Sequence, residues 1–133
     1  MKKICLDTDF LIALFRNNPD AVKKAEEYDS INAEISTTSI NAFEIYFGAF
    51  KSKNATKNVK KAEDLFNSIR VLELTLESSK KSAEILSELS RRGTPIDLRD
   101  ALISGIAIIN GYSLVTRNVE HFRRVIGLSV EPW

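Results

Sequence analysis

Three carboxylates and one amide stand where such side chains are costly to keep without help. Asp7 follows Ile4-Cys5-Leu6, Glu44 lies in Ile40-Asn41-Ala42-Phe43-Glu44-Ile45, Asp100 precedes Ala101-Leu102-Ile103, and Asn118 follows Leu114-Val115-Thr116-Arg117. Carboxylates gathered on apolar elements repel one another and lose hydration, so they stay ionised only beside a cation or strong hydrogen-bond donors. Oxygen-only ligands select hard cations, and if these positions converge the site suits Mg²⁺ or Mn²⁺. Zinc is poorly served by a chain with one histidine, His121, which reads as a surface residue, and one cysteine, Cys5, which reads as a buried strand residue. A hard cation beside a phosphodiester performs hydrolysis.

Each position also has a plainer account. Asp9 reads as a helix cap, and Asn41-x-x-Glu44 and Asp97-x-x-Asp100 have the spacing of capping boxes. Acidic residues in a first helical turn gain from the helix dipole as well. Asn118 reads equally well as a turn residue. Asp7 resists this treatment: it ends an apolar strand, and no Lys or Arg follows Lys3 nearby. A metal, or a hydroxyl such as that of Thr116 on another strand end, is the compensation expected for it.

The elements that must position these residues follow from periodicity and punctuation. Lys3 to Leu6, Glu34 to Thr38, Val71 to Leu74, Ser113 to Thr116 and Leu128 to Val130 read as short strands. Between them the spacing predicts a helix around Phe10 to Phe15 capped by Thr8 or Asp9, and another from a cap at Asp20 to Tyr28. A third opens at Ser39 or Asn41 and runs to about Phe50, followed by one after the Lys51 to Lys61 stretch. Leu76 to Arg92 reads as an exposed amphipathic helix, marked by Ala83, Leu86, Leu89 and Ser90 at near-helical spacing. Asp97 opens a helix apolar nearly all round, and therefore buried, that ends at Asn110-Gly111. Phe43, Tyr46, Phe47 and Phe50 form an apolar stripe that core packing accounts for in the main and that a partner helix could also use. Strands alternating with helical crossovers imply a mostly parallel sheet covered on both faces, with ligands beyond the carboxyl ends of the strands. Asp7 and Asn118 fall at that edge directly, while Glu44 and Asp100 reach it from early helical turns.

The chain's 133 residues make one domain, 1–133, and 44% apolar content suffices for a core. Nineteen basic against 18 acidic residues exclude a tail-driven polyanion binder but not a local basic face. With no signal-like or membrane-spanning run, a cytoplasmic, soluble protein is expected.

Taken together, the motifs resemble the PIN domain and, within it, the VapC toxins of type II toxin–antitoxin pairs. Leu6-Asp7-Thr8-Asp9-Phe10-Leu11-Ile12 looks like that family's first motif, and Ser39 to Gly48, with Glu44 in the acidic place, like its second. Asp100 to Ala107 looks like the third, and Leu114 to Asn118 with His121-Phe122 and the Gly127 to Trp133 tail like the fourth. The resemblance spans essentially the whole chain. It implies a three-layer α/β/α fold with a sheet of four or five strands and Mg²⁺- or Mn²⁺-dependent cleavage of RNA. It also implies a homodimer and an antitoxin whose C-terminal segment covers the acidic groove. Asp7 and Asp100 are then expected as metal ligands, with Glu44 holding a coordinated water or a second ion and Asn118 or Thr116 orienting the cluster. Asp97 could supply the charge that Asn118 lacks, and Glu120 is a more remote candidate.

For the RNA backbone, Lys51, Lys53, Lys57, Lys60 and Lys61 form one basic run and Arg91-Arg92 and Arg123-Arg124 others. Arg117, beside Asn118, is the expected phosphate contact; Arg99 could do the same or meet an antitoxin carboxylate. Two further readings are weighed. A non-catalytic RNA- or protein-binding PIN-like module has no reason to keep a self-repelling cluster. A receiver-like phospho-acceptor needs an Asp after a middle strand, where this chain has Ser39.

Overall fold

In the computed structural model, which describes residues 1–133, five strands form a single sheet in the order β3-β2-β1-β4-β5. The strands are β1 (Lys3–Leu6), β2 (Glu34–Thr38), β3 (Arg70–Leu72), β4 (Ser113–Val115) and β5 (Val130–Glu131). Every pairing is parallel, with Cys5 opposite Ser36 on one side and opposite Leu114 on the other. Parallel neighbours require crossovers, and the helices α1 (Thr8–Phe15), α2 (Pro19–Ser30), α3 (Ser39–Lys51), α4 (Ala55–Ser68), α5 (Leu76–Arg91), α6 (Leu98–Asn110) and α7 (Val119–Phe122) supply them. The four-residue α7 is the one helix that the spacing of apolar residues does not announce, because one turn carries no periodicity.

The pleat divides the core in two. Ile4, Leu6 and Val115 point to the face covered by α1 to α4, where they meet Phe10, Leu11, Tyr28, Ile45 and Ala62. Cys5 and Leu114 point to the other face, against Ile103 and Ile106 of α6 and Phe122 of α7. This is a three-layer α/β/α sandwich. Burial pushes the Cys5 thiol up to about 12, as befits a central-strand residue with no access to water. Buried hydroxyls on β2 are satisfied across the sheet: Ser36 donates to the Ile4 carbonyl at 2.9 Å and Thr37 to that of Leu6 at 2.8 Å.

Helix α6 is buried nearly all round, as expected, and ends on Gly111 at φ +76° in the left-handed region. The inner face of α5 is Ser78, Ser82, Ile85 and Leu89, while Ala83 and Ser90 are exposed. Two serines lie inward because α6 presents Gly105 there, and a Cβ on that glycine would collide with Ser82 Oγ and lie 2.8 Å from the Ser78 carbonyl oxygen. The close approach of two helix backbones thus replaces larger apolar side chains. Phe43, Phe47 and Phe50 also depart from the core assignment, at 67%, 56% and 67% exposed, because α3 rests on the sheet through Ile45 and Ala49 instead. Tyr46, the fourth member of that stripe, packs on Phe66 of α4. No helix is long and apolar enough to cross a membrane.

Candidate active site

The carboxyl ends of β1, β2 and β4 lie side by side, so Asp7, Thr38 and Thr116 share one edge, and the first turns of α3 and α6 close over it. Asp7 is 2% exposed and accepts from four side-chain or backbone donors. Oδ1 accepts from the Thr8 amide at 2.8 Å, Asn41 Nδ2 at 3.0 Å and Arg99 Nη2 at 2.8 Å, and Oδ2 from Thr116 Oγ1 at 2.7 Å. The Thr8 bond makes Asp7 itself the cap of α1, in place of Thr8 or Asp9. The Thr116 hydroxyl expected from the sequence is thus in place.

Arg99 supplies the positive charge that Asp7 lacks in its own sequence neighbourhood. Its guanidinium lies among three carboxylates: Nε is 2.7 Å from Glu44 Oε2, Nη1 is 2.7 Å from Asp100 Oδ1, and Nη2 is 2.8 Å from Asp7 Oδ1. Burial works against the Arg99 charge, but the bonds to Glu44, Asp7 and Asp100 outweigh it and hold the group more firmly protonated than usual. Asp100, 3% exposed, has its carboxyl raised above the ordinary range by burial; Arg99 opposes the rise, and Asp7 and Asp97 add to it. Three negative charges against one positive leave the cluster short of cations.

Neither proposed capping box uses the acidic pairs. Thr38 caps α3 and exchanges hydrogen bonds with Asn41, which leaves Glu44 one turn further on with its carboxylate free to face the cluster. Asp97 precedes α6 without any side-chain capping bond and is exposed, so it acts on Asp100 only through space. Asn41, which the sequence reading treats only as a cap, is fully buried and links the parts: Nδ2 donates to Asp7 and also to Thr8 Oγ1 at 2.9 Å, and Thr8 Oγ1 donates to Glu44 Oε1 at 2.6 Å. The signal available for it was its i, i+4, i+8 row with Ile45 and Ala49, the face on which α3 is buried.

The fourth expected corner stands apart. Asn118 is exposed, pairs through Nδ2 with His121 Nδ1 at 3.1 Å, and makes no hydrogen bond to the carboxylates; only its backbone N–H reaches Thr116 Oγ1, at 3.0 Å. The Arg117 guanidinium stacks 3.7 Å from the Trp133 ring centre, donates to the Trp133 carbonyl at 3.2 Å and meets Asp20 at 3.2 Å. These contacts use Nε and Nη2 and leave Nη1 without a partner on a half-exposed side chain. Asp9 belongs to the same clamp, accepting from the Arg117 amide at 2.9 Å and Trp133 Nε1 at 3.0 Å. Asp20 is not the cap of α2 either; Asn18 accepts from the Asp20 and Ala21 amides, with Pro19 opening the helix.

Beside Glu44 a groove runs between α1, α3 and α4, lined by Ile12, Phe15, Ile45, Asn58 and Lys61 among others. As the side chains stand, no three acidic, histidine or cysteine groups close on a single point tightly enough to hold a metal ion. The guanidinium spans the space between them. The donor set nonetheless fits a hard cation: Asp7, Glu44 and Asp100 each turn a carboxylate oxygen onto one positive group.

Residues 4–128 match the family model of the PIN domain. The chain belongs to the PIN-domain family. Its VapC relatives include the tRNA(fMet)-specific endonuclease VapC of Shigella flexneri, 32% identical over 133 residues, which cover 100% of this chain and 99% of that protein. The protein of the same name from Salmonella typhimurium is 30% identical over the same coverage. Among solved structures, the DNA-bound VapBC complex of Salmonella typhimurium superimposes with a TM-score of 0.88 at 29% identity, covering 100% of this chain and 99% of that one. VapBC2 of Rickettsia felis on a promoter DNA fragment gives 0.88 at 27% identity, with 98% of each chain covered. This PIN domain is therefore an endoribonuclease toxin of the VapC type, and the non-catalytic and receiver-like readings fall away.

Proposed function

We propose that this ribonuclease works with a divalent cation, Mg²⁺ or Mn²⁺, held by Asp7 and Asp100 with Glu44 completing the set. The observation that carries the reading is the convergence of three carboxylates from distant chain segments onto one positive centre at the carboxyl edge of the sheet. When bound, such a cation supplies polarisation of the scissile phosphate and a nucleophilic water at neutral pH. The chain's own residues do the rest. Asn41 and Thr116 fix both oxygens of Asp7, so that its ligand direction is set before substrate arrives. Thr8, donating to Glu44, holds that carboxylate toward the mouth, where it can orient a water. Asp7 and Asp100 are buried, and exclusion of water strengthens each of these interactions.

RNA is the substrate class, with tRNA(fMet) the first to try because the Shigella and Salmonella relatives carry that name. The reading includes a homodimer and a cognate antitoxin. The antitoxin would lie along the groove beside Glu44, against the exposed Phe43, Phe47 and Phe50.

The test is cleavage of tRNA(fMet) and of total RNA by the purified chain with Mg²⁺, Mn²⁺ or EDTA. Asp7→Asn and Asp100→Asn should each lower the rate at least about 100-fold, and EDTA should abolish it. Cleavage that persists in EDTA, or in both variants, would rule out the site.

A further inference from the structure

The Arg99 guanidinium uses three nitrogens on three different carboxylates, at 2.7, 2.7 and 2.8 Å. Asp7 Oδ1, Glu44 Oε2 and Asp100 Oδ1 are the oxygens turned onto the common centre where a small cation in this pocket would sit. A planar guanidinium and a compact divalent ion cannot share them, since the two positive charges would stand within a few ångströms in a poorly solvated site. The chain can nevertheless let the arginine go. Arg99 lies in the first turn of α6, its side chain is 31% exposed, and its neighbours Asp97 and Leu98 are exposed, so the route from pocket to solvent is open. No other side chain holds it, because all of its charged contacts are the three carboxylates themselves.

We infer that Arg99 is a built-in counter-cation which occupies the carboxylate cluster in the absence of a divalent ion and must swing out for that ion to bind. This rests on the divalent-cation reading above. Arg99 has two effects on this account. It keeps three buried or half-buried carboxylates from repelling one another before the cation arrives, and it raises the cation concentration at which the site fills. A doubly charged ion wins at high concentration because it offsets more of the cluster's negative charge than one guanidinium does. The arginine thus sets a threshold, holding the site idle when divalent cations are scarce.

The experiment has three readouts on the full chain. Mn²⁺ binding is followed by loss of the free-ion electron paramagnetic resonance signal in wild type, Arg99→Gln and Arg99→Lys. Arg99→Gln should bind Mn²⁺ about tenfold or more tightly. Arg99→Lys, which keeps the charge but cannot fork to three carboxylates, should lie between it and wild type. In ¹H–¹⁵N spectra of the cation-free protein, the Arg99 Nε–H should give a slowly exchanging resonance that is missing from Arg99→Lys, and this protection should vanish in step with Mg²⁺ binding. Thermal melting in EDTA should be lower for Arg99→Gln than for wild type, with the gap closing in Mg²⁺. Mn²⁺ binding with an affinity unchanged by Arg99→Gln, or an Nε–H still protected at saturating Mg²⁺, would overturn the inference and leave the metal site standing. Absence of Mn²⁺ binding in wild type and Arg99→Gln alike would overturn both.

Discussion

Asn41 is fully buried and commits both ends of its amide to the site: Oδ1 accepts from Thr38, and Nδ2 donates to Asp7 Oδ1 and Thr8 Oγ1. Its loss would leave a buried carboxylate short of one donor and free the Thr8 hydroxyl that steers Glu44. Asn41→Ala should therefore cost about 2 kcal/mol in urea unfolding and lower RNA cleavage as well. Asn41→Asp, which sets a fourth carboxylate beside Asp7, should be the less stable of the two in EDTA. A change within about 0.5 kcal/mol for Asn41→Ala would show that Asp7 does not depend on the amide. At this scale the sequence exposes the chemistry but not the wiring. Asp7 was legible because an ionised group at the end of an apolar strand demands compensation, and Thr116 could be named as one source. Arg99 and Asn41 escaped because their roles depend on which distant segments face them, and so do the contacts of Arg117 with Trp133 and Asp20.

At the scale of elements, strands and long helices follow closely from periodicity, and the departures arise where two helices come into contact. Gly105 allows α5 to seat Ser78 and Ser82 directly on the α6 backbone. Gly105→Ala should cost about 1–3 kcal/mol by urea unfolding, since the added methyl meets backbone atoms as well as a movable side chain. Adding Ser82→Ala should relieve only part of that loss, because the Ser78 carbonyl oxygen stays 2.8 Å from the new Cβ; complete rescue would mean that the serine hydroxyl alone sets the spacing. The same contact explains why the inner face of α5 does not follow from apolar spacing. Hydrophobicity ranks serine as an outward residue, yet a small side chain is what a close helix pair selects. Caps shifted by one to three residues for a related reason. Asp7, Asn18 and Thr38 compete successfully with neighbouring Asp9, Asp20 and Asn41, and only the path of the chain into each helix decides which one faces the free amides.

Over the whole molecule, a nearly balanced charge conceals an uneven surface: an acidic edge at the sheet's carboxyl end and, next to it, the uncovered aromatics of α3. Phe43 and Phe47 stack with ring centres 6.0 Å apart, and Lys51 lies 4.9 Å from the Phe47 ring, yet both rings remain largely in solvent. Such a patch contributes little to folding and is suited to a partner. Phe47→Ser should change stability by no more than about 0.5 kcal/mol and weaken neutralisation by the cognate antitoxin about tenfold or more. Unfolding at wild-type denaturant concentration together with unimpaired neutralisation would remove this face from the antitoxin site. The sequence by itself determined the alternation of strands and helices, the parallel sheet and the three acidic positions at its edge, because periodicity, punctuation and the cost of burying charge are local properties. Only the tertiary structure decided that Arg99 sits among those carboxylates, that Asn118 stays outside them and that the α3 phenylalanines face water. The first depends on the strand order β3-β2-β1-β4-β5, which brings residues 7, 44, 99 and 116 together and which no local pattern encodes; the others depend on the local path after β4 and on which face α3 turns to the sheet.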